Sequence, residues 1–130
     1  MPNQFRCAFF TNEFESTVDF YKNTLGFEMG ETWDRASDDK GAIFLAGTGM
    51  IEVLTMPRHN EDWVWDKRRP QGLAIVIEIE DIDGFYKRLL NQGAPITVEI
   101  ADMEWGHRTF QITDPNGARL YFFSEIDRKQ

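Results

Sequence analysis

Phe20-Tyr-Lys-Asn-Thr-Leu25 and Phe85-Tyr-Lys-Arg-Leu-Leu90 are two versions of one phrase, and the second starts 65 residues after the first in a chain of 130. Half the chain therefore separates them. Each copy lies on a helical pattern, preceded by one strand-like run and followed by three more, so the chain reads as one βαβββ unit written twice.

Outward from the first phrase, 5–11 (FRCAFFT) is short, aromatic and free of Gly and Pro, which predicts a strand. Asn12 with Glu15 predicts a capping box. Phe14, Val18, Tyr21 and Leu25 share a helix face, and Gly26 is placed to end it. Around the second phrase, Leu73, Ile75, Ile77 and Ile79 alternate as in a strand, and Asp81 is a helix cap. Ile82, Phe85, Leu89 and Leu90 form the helix stripe, which Gly93 and Pro95 stop. Strands are expected over 27–33, 41–46 and 50–55, and again over 96–100, 107–113 and 118–124. Asp114-Pro-Asn-Gly117 is a turn, because Pro presets φ while Asn and Gly tolerate positive values. The fold class is α+β, with module one at 1–56, a polar, proline-bracketed linker at 57–71 and module two at 72–130.

Composition narrows the function. Apolar residues at 42 % with 14 % aromatics are incompatible with disorder, and no apolar run reaches the roughly 20 residues of a membrane-spanning helix. The opening residues carry no basic stretch followed by an apolar core, and the lone Cys7 has no intramolecular partner, so a cytoplasmic location is expected. Fourteen basic against twenty-two acidic residues give a net charge of −8, which disfavours nucleic acid and anionic membranes and favours cationic ligands. No glycine-rich phosphate loop, paired Cys motif or His-Glu helix motif is present.

The phrase FYKNTLGFE, the segment WGHRTF at 105–110 and DPNG before an alternating strand together resemble the vicinal oxygen chelate superfamily, which contains glyoxalase I, extradiol dioxygenases, fosfomycin resistance proteins and bleomycin resistance proteins. The resemblance covers nearly the whole chain. It implies two modules whose mixed sheets form an open cup with the helices outside, a small-molecule ligand inside the cup, and a homodimer. It also implies four metal-ligand positions, carried over as Arg6, Glu52, Leu73 and Tyr121. Only Glu52 has the chemistry, since guanidinium and Leu offer no lone pair and neutral Tyr is a poor ligand for divalent ions. No metal and no cofactor are therefore expected, and Arg6 is expected to take the metal's place beside Glu52 as a forked ion pair.

Alternation from these positions adds Ala8 and Phe10, Met50 and Leu54, Ile75, and Arg119 and Phe123 to the same surface. Trp33, Trp63, Trp65 and Trp105 stand at strand ends or in the linker, where partly exposed rings mark a ligand groove or cover a core edge. WGHRTF is similar to the corresponding strand of bleomycin resistance proteins, which adds Arg108 to the ligand-binding set. The expected function is metal-free binding of a cationic aromatic compound. The alternative is a lyase, isomerase or dioxygenase of the glyoxalase branch, using acid and base groups such as Glu52 and Tyr121 or a metal site built from Glu52 with His59 and His107. A third reading is an interaction protein whose cup is filled by its own side chains.

Overall fold

The structure, a computed structural model, describes residues 4–56 and 72–126. Its contacts divide the chain into two compact units, 1–69 and 70–130. In the first, β1 (Arg6–Thr11) leads into helix α1 (Phe14–Asp19), whose π-helical continuation covers Phe20–Thr24, followed by β2 (Met29–Ala36), β3 (Asp39–Ala46) and β4 (Gly49–Thr55). In the second, β5 (Ala74–Glu78), α2 (Ile82–Asn91), β6 (Ile96–Asp102), β7 (His107–Thr113) and β8 (Arg119–Glu125) repeat that order. The two sheets have the same topology, β1-β4-β3-β2 and β5-β8-β7-β6, with the first and last strands of each unit parallel neighbours and the other pairs antiparallel. The α+β class and the duplicated βαβββ order follow directly.

Each repeated phrase packs its aromatics against one face of its own sheet. Tyr21 is fully buried between Phe9 of β1 and Phe44 of β3, with centroids 6.2 and 5.7 Å away. Phe85 meets Phe110 and Phe122, and Tyr86 meets Phe110 at 4.9 Å. The two helices differ in how they reach this state. In the first, the Leu25 amide donates to the Phe20 carbonyl at 2.9 Å, a five-residue return that keeps Leu25 on the buried face with Phe20 and Tyr21. In the second, a regular helix of ten residues ends two positions later relative to the phrase, and Leu90, expected in the stripe, is instead exposed while Leu89 is fully buried.

Several boundaries move for local reasons. Asn12 and Glu15 form no capping box. Glu13 occupies the cap position, its amide donates to the Thr11 hydroxyl at 2.7 Å, and Glu15 turns outward to Lys40. Asp81 caps α2 as expected, accepting from the Gly84 amide at 3.1 Å. Strand β2 starts at Met29 rather than Phe27, because the Phe27 amide still closes the helix end onto the Tyr21 carbonyl. It then runs on to Ala36, opposite Asp39, so the segment expected as a loop is a two-residue hairpin turn. No helix among the described residues is long and apolar enough to cross a membrane.

Candidate functional site

Because side chains alternate along a strand, each sheet has a helix side and an opposite face. In the first unit Phe9 and Phe44 mark the helix side, so Arg6, Ala8 and Phe10 of β1 lie on the other. The register pairs Ala8 with Glu52 and Phe10 with Leu54, and across β3 it pairs Ile43 with Glu52 and Gly41 with Leu54. Glu52 thus stands in the middle of this face. Its side chain is only 15 % exposed, against 38 % for Arg6.

The Arg6–Glu52 pair forms, but not as a fork. Nη1 donates to Glu52 Oε1 at 3.1 Å while Nη2 donates to Gln4 Oε1 at 2.7 Å, so one guanidinium serves two acceptors. With one partner more than a third exposed, the pair falls in the range of solvent-screened bridges, about 1 kcal/mol or less. A double-mutant cycle over Arg6→Ala and Glu52→Gln, read by chemical denaturation, is expected to give a coupling of about 0.5–1 kcal/mol. A coupling indistinguishable from zero would mean that water satisfies the carboxylate as well as the guanidinium does.

Trp33 joins the same face through a glycine. It is paired with Gly41, and a Cβ built on Gly41 would lie 2.0 Å from Trp33 Cζ2, so the indole occupies the space a side chain would take. That Cβ direction is shared with Ile43 and Glu52. Gly41 was not recognised from the sequence as a site residue, although a glycine inside a strand is the signal for such a close approach. The Arg35 guanidinium, held by Asp39 at 3.0 Å, lies 5.9 Å from the Trp33 ring centroid. Phe10 is half-buried on this face.

In the second unit the face opposite α2 carries Val76, Tyr121, Gln111, Thr109 and Phe123. His107, which the alternative reading places in a metal site with Glu52 and His59, stacks on Phe123 with centroids 4.5 Å apart and planes at 21°. Two expected members do not belong here. Leu73 precedes β5 and has the parity of Ile75 and Ile77, which lie opposite Leu120 and Phe122 on the helix side. The position matching Arg6 is Ala74, since Ala74 pairs two residues before Tyr121 as Arg6 pairs two before Glu52. One residue of offset moved Leu73, and Ile75 with it, to the wrong face.

Arg108 is the other correction. It alternates to the helix side, where Nε and Nη2 donate to the Asp102 carboxylate at 2.6 and 3.1 Å and Nη1 donates to Asp83 Oδ2 at 2.9 Å. This tie links α2 to the β6–β7 hairpin and holds the Asp102 carboxyl below its ordinary range, chiefly through the hydrogen bond from Arg108. Its guanidinium is committed to two carboxylates and faces away from Tyr121. Trp105 sits in the turn between β6 and β7, 50 % exposed. Trp63, Trp65 and His59 lie outside the described residues.

The metal-ligand positions implied by the resemblance now read Arg6, Glu52, Ala74 and Tyr121. Their chemistry does not fit a divalent cation: the first unit supplies one carboxylate, already in contact with a guanidinium, and the second only an alanine and a phenol. Among the described residues no three His, Cys, Asp or Glu side chains are grouped so as to hold a metal. Taken separately, the face of the first unit offers Phe10 and Trp33 for stacking, and the face of the second offers Tyr121, Phe123 and His107.

Residues 4–122 match the sequence model of the Glyoxalase/Bleomycin resistance protein/Dioxygenase superfamily. Among solved structures, a member of that superfamily from Sphaerobacter thermophilus is 26% identical, with a TM-score of 0.73 and coverage of 96% of this chain and 98% of the other. TioX from Micromonospora sp. ML1 has a TM-score of 0.78 at 17% identity over 96% of this chain and 100% of its own. A family protein from Nocardioides gives 0.69 at 20% identity, covering 100% of this chain and 87% of the other. No curated protein matches the chain.

Proposed function

From the premise that the chain belongs to the Glyoxalase/Bleomycin resistance protein/Dioxygenase superfamily, we propose that it is a small-molecule binding protein that works without a catalytic metal and sequesters a cationic aromatic compound. The observation that carries this reading is the pairing of Arg6 with Glu52 where the resemblance implies a metal ligand, on a face that also presents Phe10 and Trp33. A flat ligand has rings to stack on, and few polar anchors to satisfy. The net charge of −8 adds a field that concentrates cations near the protein. A homodimer in the cytoplasm is the proposed working state, since the first sheet ends on strands β1 and β2 and the second on β5 and β6, edges that pairing between copies would cover.

Tryptophan emission supplies the test. Titration with bleomycin, a cationic aromatic, is expected to give saturable quenching that weakens as salt is added, while a glutathione adduct binds more weakly. Trp33→Leu should reduce the affinity by about 1–3 kcal/mol if its ring contacts the ligand. Light scattering on the same sample is expected near twice 15.2 kDa, and metal analysis is expected to find no stoichiometric ion. Emission indifferent to such compounds, together with turnover of a hemithioacetal or a catechol, would replace this reading with an enzyme of the glyoxalase branch. Glu52 and Tyr121 would then be the acid and base to test, and one equivalent of tightly held zinc, nickel or iron would also overturn it.

A further inference from the structure

On the helix side of the first sheet, away from Glu52, α1 does not reach across β2 and β3, and a cavity of about 370 Å³ is left between them. Phe14 and Val18 of the helix wall it on one side, Met29 of β2 and Ala42 of β3 on the other. The register confirms the face: Met29 pairs with Phe44, Thr32 with Ala42 and Asp34 with Lys40, and Phe44 is the residue that meets Tyr21 under the helix. The volume is within the range of small-molecule sites. The apolar floor would favour a hydrocarbon or single-ring body.

Charge decides which head group such a body carries. Glu15, Asp34 and Lys40 border the cavity, two carboxylates against one ammonium. Lys40 Nζ donates to Glu15 Oε1 at 3.1 Å, and its side chain is 24 % exposed. Its ammonium holds its proton more tightly than an ordinary lysine, first through the hydrogen bond to Glu15 and further through the charges of Glu15 and Asp34. The single cation is thus already engaged, whereas the Asp34 carboxylate has no side-chain hydrogen bond among the described residues. Lys40 keeps donors beyond the one given to Glu15, but a ligand carboxylate would approach against the charges of Glu15 and Asp34 in a protein of net charge −8. A ligand ammonium is drawn to Asp34, whose charge already acts on Lys40.

We propose that this cavity is a second ligand site, on the helix side of the sheet and sharing only Trp33 and Gly41 with the face bearing Glu52, which takes a small primary amine with a compact apolar body, its ammonium on Asp34 and its body between Val18 and Met29. The proposal does not rest on the function assigned to the other face. Trp33 borders the cavity and also lies over Gly41 on the Glu52 side, so its emission cannot tell the two sites apart. Methyl groups can. Methyl-resolved NMR of the full chain titrated with 4-phenylbutylamine is expected to show saturable shifts at Val18, Met29 and Ala42 and little change at Ile43 and Leu54. Its carboxylate analogue, 4-phenylbutyrate, should shift none of them.

Asp34→Asn, a substitution at an exposed position that leaves the fold in place, should weaken the amine about fivefold, the size expected for a partly screened charge contact. Val18→Phe should abolish binding by filling the space. Three results would overturn the proposal: no shift up to about 10 mM amine, equal or tighter binding of 4-phenylbutyrate, or shifts confined to Ile43 and Leu54. The last would leave the binding function of the Glu52 face standing while removing this one. Unaltered affinity in Asp34→Asn would likewise remove the assigned ammonium contact.

Discussion

Tyr21→Ala is expected to destabilise the protein by about 3–5 kcal/mol, a large share of the 5–15 kcal/mol that holds an ordinary domain together. The ring is 0 % exposed and touches Phe9, Phe20, Phe27 and Phe44, so its removal opens a cavity bounded by the helix and three aromatic side chains that cannot all collapse into it. The equivalent substitution in the second copy of the phrase should cost clearly less. Tyr86 is only half-buried, and in that unit Phe110 and Phe122, both fully buried, hold the centre with Phe85. Equilibrium denaturation of the two variants side by side measures the difference. Equal losses would show that the two copies carry the same weight and that burial of Tyr21 is not what distinguishes them.

Asp114→Ala is expected to cost about 2–4 kcal/mol, since it strands two backbone donors, that of Ala118 buried and that of Asn116 partly so. The side chain is 4 % exposed, and its Oδ1 accepts from the amides of Asn116 and Ala118, both at 2.8 Å. The main chain of the same residue closes the turn, accepting from Gly117 at 3.0 Å and donating to Ala118 at 2.9 Å. Pro115 presets the first central φ, and Gly117, at φ 89°, takes the left-handed step that lets β8 leave in the right direction. Asp114→Asn keeps an acceptor oxygen and should lose only about 1 kcal/mol. If Ala and Asn prove equally mild, the turn is held by its main chain and by Pro115 alone.

Both residues were legible as important before any coordinates, one from a repeated phrase and one from a turn signal. The charged residues were less so. Arg6 and Glu52 are 46 positions apart, yet the parallel pairing of first and last strand brings them together, and the resemblance implied that neighbourhood. The same reasoning failed at Leu73, where nothing local fixes which residue of an apolar run is in phase with Tyr121. It failed again at Arg108, whose neighbours in WGHRTF do not reveal Asp83 on the helix and Asp102 on the preceding strand.

The amino-acid sequence by itself determined the duplication, the βαβββ order, the strand and helix periods, the turn at Asp114 and the poverty of metal-ligating atoms at the implied positions. These are properties of residue type and spacing, and period and composition survive in one dimension. Only the tertiary structure decided phase and partnership: that Ala74 rather than Leu73 corresponds to Arg6, that Arg6 divides its guanidinium between Glu52 and Gln4, and that Trp33 lies over Gly41. A strand repeats every two residues, so a shift of one leaves its pattern intact while exchanging its faces, and only hydrogen-bonded pairing with a neighbouring strand selects between them.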